Sequence, residues 1–145
     1  MRIKRITYLA LLIPILIMGC CSSKCGGKLT EYTISWGEGG GATGRWSGYT
    51  IDSKEKELTK WSGMMQEQNP THLKKLCKSK LKATLNEIEA NDLINVNYQE
   101  PANMSHYIKI TTAGKTNVII WNPNLENELT TKLNKFYDFL NKYTN

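Results

Sequence analysis

Histidine is scarce in this chain, with two among 145 residues. That scarcity narrows the catalytic possibilities, because histidine is the usual general acid–base near neutral pH. Neither His72 nor His106 neighbours a candidate nucleophile in sequence. His72 and Cys77 are five residues apart, about 140° around a helix, and so do not converge on a metal. No HExxH, paired CxxC or EF-hand spacing occurs. The acids Glu55, Glu57, Glu87, Glu89, Glu126 and Glu128 fall mostly on predicted polar faces, as solvated charge does. The chain therefore reads as a non-enzyme with no metal and no cofactor. It also lacks a membrane-spanning run. The apolar stretch from Ile6 to Met18 falls short of the roughly 20 residues a helix needs to cross the hydrocarbon.

That stretch is informative for what surrounds it. Arg2, Lys4 and Arg5 precede it, and it closes on Ile17-Met18-Gly19-Cys20. Basic start, short apolar core and small-residue junction are the parts of an export signal. The junction resembles the lipobox of bacterial lipoproteins: an aliphatic residue, a variable one, a small one, then cysteine. The resemblance implies that Cys20 receives a diacylglyceryl group and that residues 1–19 are removed. The residue after the cysteine is not Asp, so the retention signal of enteric-type lipoproteins is missing and an outer-membrane anchor is expected. Residues 20–28, small and polar, read as a lipidated tether. Residues 29–145 read as one globular domain.

Removing the signal changes the charge. Three of the nineteen basic residues and none of the thirteen acids precede Cys20. The remainder carries sixteen basic residues against thirteen acidic, a net charge of +3 in place of +6. A nucleic-acid partner is not implied. If Cys20 is lipidated, Cys21, Cys25 and Cys77 remain, an odd number that cannot all pair within one chain. A Cys25–Cys77 bridge stays open. Cys77 falls on an apolar helical stripe and is expected to act as a small buried hydrophobe.

In the domain, Tyr32, Ile34 and Trp36 alternate with Glu31, Thr33 and Ser35, the period of a half-buried strand. A glycine-rich segment, residues 37–44, reads as a loop into a second strand, Arg45 to Ile51. Glu57 to Trp61 is expected to be a short edge strand. Asn69-Pro70 reads as a helix start, because Asn is a good N-cap and Pro suits the first helical position. Its apolar face would be Leu73, Cys77, Leu81, Thr84, Leu85 and Ile88, ending near Asn91. Met104, Ile108 and Ile110 mark another strand, with His106 in register and partly buried. Ala113-Gly114-Lys115 is a turn. Val118 to Trp121, apolar on both faces, reads as a central strand. Asn122-Pro123-Asn124 restarts a helix with Leu125, Leu129, Leu133, Phe136, Leu140 and Tyr143 on one face. The expected class is α+β: an antiparallel sheet of about four strands, with two helices packed on one face.

Gly39 to Gly44 formally satisfies G-x-G-x-x-G. A dinucleotide site needs a helix after that motif, and here a strand pattern follows, so no nucleotide is expected. Kinase-type glycine loops do join strands, but the downstream lysine strand and catalytic loop are missing. With Trp36, Arg45 and Trp46 beside Gly40, Gly41, Thr43 and Gly44, the segment reads as a candidate partner-binding loop. Trp and Arg are enriched at binding hot spots.

Gly40-Gly-Ala-Thr-Gly44, Tyr49-Thr-Ile51, the strand from Met104 to Ile110 and the leucine-rich last helix together resemble small bacterial envelope lipoproteins. Less closely, they resemble emfourin-type inhibitors of metallopeptidases, which carry a Gly-Gly-aromatic-small-Gly motif; Ala42 stands at its aromatic position. The first resemblance implies a lipid-anchored envelope protein that binds another envelope protein or serves in assembly. The second implies a peptidase inhibitor, with Gly40, Gly41, Thr43 and Gly44 in the matching loop. A fatty-acid analogue should label the wild-type chain and leave Cys20→Ser unlabelled. Equal labelling of the two proteins would refute the lipobox reading.

Overall fold

The computed structural model describes residues 30–64 and 67–145. The signal segment and the whole tether, with Cys20, Cys21 and Cys25, lie outside them. Seven strands and two helices follow one another: β1 (Tyr32–Gly40), β2 (Arg45–Asp52), β3 (Glu57–Gly63), β4 (Thr71–Lys75), α1 (Lys78–Ala90), β5 (Gln99–Glu100), β6 (Met104–Thr112), β7 (Lys115–Trp121) and α2 (Glu128–Asn141). They form one sheet in the order β4-β3-β2-β1-β6-β7-β5. This corrects the expectation of about four antiparallel strands. The sheet has seven, and β5 runs parallel to β7.

The extra strands come from segments whose patterns mislead. Thr71–Lys75 is an edge strand paired with β3, where a helix beginning at Pro70 was expected. Asn69 takes a positive φ of 49°, which turns the chain back along β3 instead of into a helix. β3 is therefore internal, between β2 and β4. His72 stands on the strand with Nδ1 2.7 Å from Glu57, and Leu73 is exposed. The helix starts eight residues later than expected, with Cys77 at its N-cap and only partly buried. β7, read as central, has only the two-residue β5 beyond it; Ile119 and Trp121 are buried while Val118 and Ile120 are partly covered.

β1 is the middle strand, flanked by β2 and β6. Its alternation puts Tyr32, Ile34 and Trp36 on one face, in register with Ile110 and Ile108 of β6 and Ile51 of β2. Both helices cover this face. Leu81, Leu85 and Ile88 of α1 and Leu133, Phe136, Tyr137 and Leu140 of α2 join it in one core. Burial of such side chains stabilises by about 1.5–3 kcal/mol each. Three polar contacts fix how the helices dock. The Tyr32 hydroxyl donates to the Leu81 carbonyl at 2.8 Å. Trp36 Nε1 donates to Asn141 Oδ1, and Trp121 Nε1 donates to Asn134 Oδ1, both at 2.9 Å.

α2 begins four residues beyond Asn124, because Asn127 and Thr130 form a reciprocal capping box. Leu125, ahead of the cap, is exposed. α1 links strands at opposite edges of the sheet, so it spans the covered face and Leu93, just after it, is fully buried. Leu133 on α2 has no exposed surface, so Leu133→Ala should cost about 2–5 kcal/mol in urea unfolding of the detergent-solubilised chain. Lys132→Ala, at an exposed neighbouring position, should change stability by less than about 0.5 kcal/mol.

Candidate functional site

The face of the sheet away from the helices carries the unusual chemistry. The glycine-rich segment divides here. Gly37 to Gly40 continue β1, and only residues 41–44 make the turn. Gly37 and Gly39 point to the open face, as does Gly48 on β2. Gly39 lies opposite Trp46, Gly48 opposite Trp61, and Gly37 opposite Tyr107. A Cβ on Gly39 would come within 2.5 Å of the Trp46 ring, and one on Gly48 within 2.6 Å of the Trp61 ring. The indoles thus lie over their cross-strand glycines, filling space that side chains would otherwise occupy. Tyr107 joins the two indoles edge-on, with centroids 5.9 Å from Trp46 and 6.0 Å from Trp61.

Trp61 and Tyr107 are fully buried although no helix covers this face. The connection from β3 to β4 reaches over it. Glu67, at a positive φ of 64°, accepts hydrogen bonds from the Tyr107 hydroxyl at 3.2 Å and from Lys109 Nζ at 2.9 Å. Burial pushes the Glu67 carboxyl up, but the Ser35 hydroxyl, Lys109 and Tyr107 outweigh it, and the net shift is downward. Burial and the Glu67 charge in turn raise the Tyr107 phenol. Ser35 exchanges a 2.7 Å hydrogen bond with Thr50 beneath this latch.

Between the latched connection and the β1–β2 hairpin runs a groove of about 580 Å³. Trp46 and Arg45 line it beside Gly39, Gly40 and Thr43, and Met64, Gln68 and Asn69 face them. Met64 and Met104 at its rim are 63% and 52% exposed, unusual for large apolar side chains. The hairpin is held in place. Gly41 N–H donates to the Asn103 carbonyl, and Gly40, Gly41 and Gly44 take φ of 108°, 66° and 59°. These are left-handed values that glycine adopts without strain.

Of the residues expected in the binding loop, Gly40, Gly41, Thr43, Gly44, Arg45 and Trp46 are gathered at this groove or its turn. Trp36 is not. It has no exposed surface, faces the helices and is committed to Asn141. Its place beside Trp46 is taken by Tyr107 and Trp61, which sequence reasoning missed along with Glu67 and the two methionines. A signal was available. Gly37, Gly39 and Gly48 stand at every second position of strand segments rich in cross-strand aromatics.

His106 belongs to the other face. It stacks on Tyr137 with centroids 4.0 Å apart and 12° between planes, and meets Trp121 edge-on. Its Nδ1 is buried without a partner among the described residues. Burial lowers its pKa against the opposing pull of Glu38 and Asp138. This histidine packs between Tyr137 and Trp121, with Nε2 3.9 Å from the Glu38 carboxylate. No group of three or more potential metal ligands occurs among the described residues.

No protein-family model matches the chain, and no curated protein is significantly similar to it.

The lowered pKa values of His106 and Glu67 both make acid destabilising, in separate windows. A lowered histidine pKa contributes stability that is full above about 6.5 and is lost as pH falls toward the folded value. A lowered carboxyl contributes stability that is lost only as pH falls below about 4.5. His106→Phe, which keeps a stacked ring, should flatten the upper limb of an unfolding-versus-pH profile. Glu67→Gln should flatten the lower one. A profile unchanged by both substitutions would contradict these assignments.

Proposed function

We propose that the chain is a lipid-anchored protein of the bacterial cell envelope, held through Cys20 and carrying a non-enzymatic binding or assembly module. The groove beside the glycine hairpin is its contact surface. One geometric observation carries this reading. The described chain begins at Thr30, two residues before β1 starts at Tyr32, and the groove lies at the other end of that strand. Eight residue steps at about 3.3 Å separate the two ends by about 26 Å. A domain tethered through its N-terminal segment would hold the groove away from the membrane that carries the anchor, where a partner can reach it.

The groove suits contact better than turnover. Arg45 is accompanied by amides, hydroxyls and thioethers, while the Glu38 carboxylate turns to the helix-covered face, 3.9 Å from His106 Nε2, so no nucleophile–base pair stands among the lining residues. Trp, Arg and Met are the residue types enriched at recognition surfaces. A photo-reactive residue placed at Thr43, an exposed position in the turn that lines the groove, should give discrete adducts in intact cells, whereas one at Lys132 on α2 should not. Capture of a peptidase from Thr43 would favour an emfourin-like inhibitor. The same adduct pattern from both positions would overturn the groove as the contact surface.

A further inference from the structure

We propose that the outer edge of β4 receives an acidic, extended protein segment, which adds to the sheet as a further strand. The inference goes beyond the groove, and neither surface depends on the other.

Three observations converge on it. The first is the edge itself. Thr71–Lys75 pairs with β3 on one side and, among the described residues, with no strand on the other. Pro70 precedes the strand and no proline interrupts it, so each of its residues keeps an N–H. Leu76 N–H donates to the Lys56 carbonyl at 2.8 Å. Residues of an antiparallel strand turn their amides alternately inward and outward, so those of Lys75, one position earlier, face away from β3. Outward main-chain groups of this kind are what an added strand bonds to. The opposite edge of the sheet is occupied. Asn117 Nδ2 on β7 donates to the Leu93 and Val96 carbonyls, and Ile120 N–H donates to that of Tyr98, so the connection from α1 to β5 lies along it.

The second is charge. β3 and β4 together carry Lys60, Lys74 and Lys75 against one carboxylate, Glu57. Glu57 is already engaged, 2.7 Å from His72 and 3.6 Å from Lys75. The cations stand on both faces of the sheet. Lys75, opposite Glu57, shares the open face with it, while Lys74, opposite Leu58, and Lys60, opposite Tyr49, lie on the helix-covered face. An added strand sends successive side chains to alternate faces. Two consecutive acidic residues beside Lys74 and Lys75 would therefore each meet a lysine, and cross-strand pairs of opposite charge are favourable.

The third is Leu73. Lys74 faces Leu58 and His72 faces Thr59, so Leu73 is the extra residue of a bulge. Its side chain is 42% exposed and takes no part in the core. An aliphatic residue next to the acidic pair of the incoming strand would cover it. The segment that fits is thus extended, with two adjacent carboxylates flanked by an aliphatic side chain.

The test uses two capped peptides, Thr-Val-Glu-Glu-Val-Thr and Thr-Val-Lys-Lys-Val-Thr, which are symmetrical about the charged pair and so serve either strand direction. The full chain is solubilised in an uncharged polyoxyethylene detergent and titrated calorimetrically with each. The acidic peptide should bind with a Kd of about 0.1–1 mM, and the lysine peptide at least about tenfold more weakly. Lys74→Gln combined with Lys75→Gln, on the rim outside the core, should bring the two peptides to within about threefold of each other. Acidic peptides N-methylated at alternate amides separate pairing from simple attraction, and need no variant to fold. One alternate set should abolish binding, and the complementary set should leave it within about threefold. Equal binding of the acidic and lysine peptides by the wild type would overturn the acidic assignment. Undiminished binding of both methylated sets would overturn strand addition. No heat from either peptide up to about 10 mM would overturn the edge as a docking site, leaving its lysines as guards of an open strand.

Discussion

Seven strands and two helices leave one face of a sheet without a helical layer, and the rest of the structure depends on how that face is closed. Apolar side chains left there would be exposed to water, and bare backbone would invite another strand or sheet. The chain uses glycine at Gly37, Gly39 and Gly48, lays Trp46 over Gly39 and Trp61 over Gly48, and sets Tyr107 opposite Gly37. Glycine in a strand normally weakens it, through lost packing and greater chain entropy. Here each indole supplies the contact surface its glycine lacks, and Glu67 of the β3–β4 connection ties down Tyr107 and Lys109. The groove is the unsealed remainder of the same arrangement, with Trp46 at its boundary.

The covered face follows a different logic. Apolar burial assembles it, but apolar contact does not dictate where along a sheet a helix comes to rest. Tyr32, Trp36 and Trp121 each send a polar atom to a single acceptor on or beside a helix: the Leu81 carbonyl, Asn141 and Asn134. A buried indole N–H without a partner is costly, so sliding α2 by a turn would strand two of them at once. These contacts select one register among several that would bury similar area.

What was legible in the sequence tracks these two regimes. Period-two alternation at Tyr32, Ile34 and Trp36 and the stripe Leu133, Phe136, Leu140 and Tyr143 point inward as read, because burial on one face imposes a period. Leu73 and Leu125 were read as helix-face residues and are exposed, because each precedes its helix. Asn69-Pro70 and Asn122-Pro123 look like helix starts, but local capping preference is worth about 1 kcal/mol, and edge pairing to β3 or a better cap at Asn127 outweighs it. The glycine segment was read as a loop because strand glycines have no side-chain pattern of their own. Their partners lie across the sheet, on β2 and β6, so the spacing of the glycines marks the segment but does not name the rings that lie over it. For the same reason the turn glycines at 40, 41 and 44 were found, while Tyr107, Glu67 and Met104 were not.

The outer rim of β4 has a consequence for molecules crowded together. Thr71–Lys75 pairs on one side only among the described residues, so its other side is an open sheet edge. Proteins tethered to a membrane diffuse in two dimensions at high local density, with their sheets aligned by a common point of attachment. Such confinement favours edge-to-edge joining into ribbons. Lys74 reaches the carbonyl of Asn145 and Lys75 reaches that of Glu55, so two cationic stems flank this rim. A second copy pairing in parallel register along this rim would set Lys74 and Lys75 beside their own counterparts, and like charge opposes that joining.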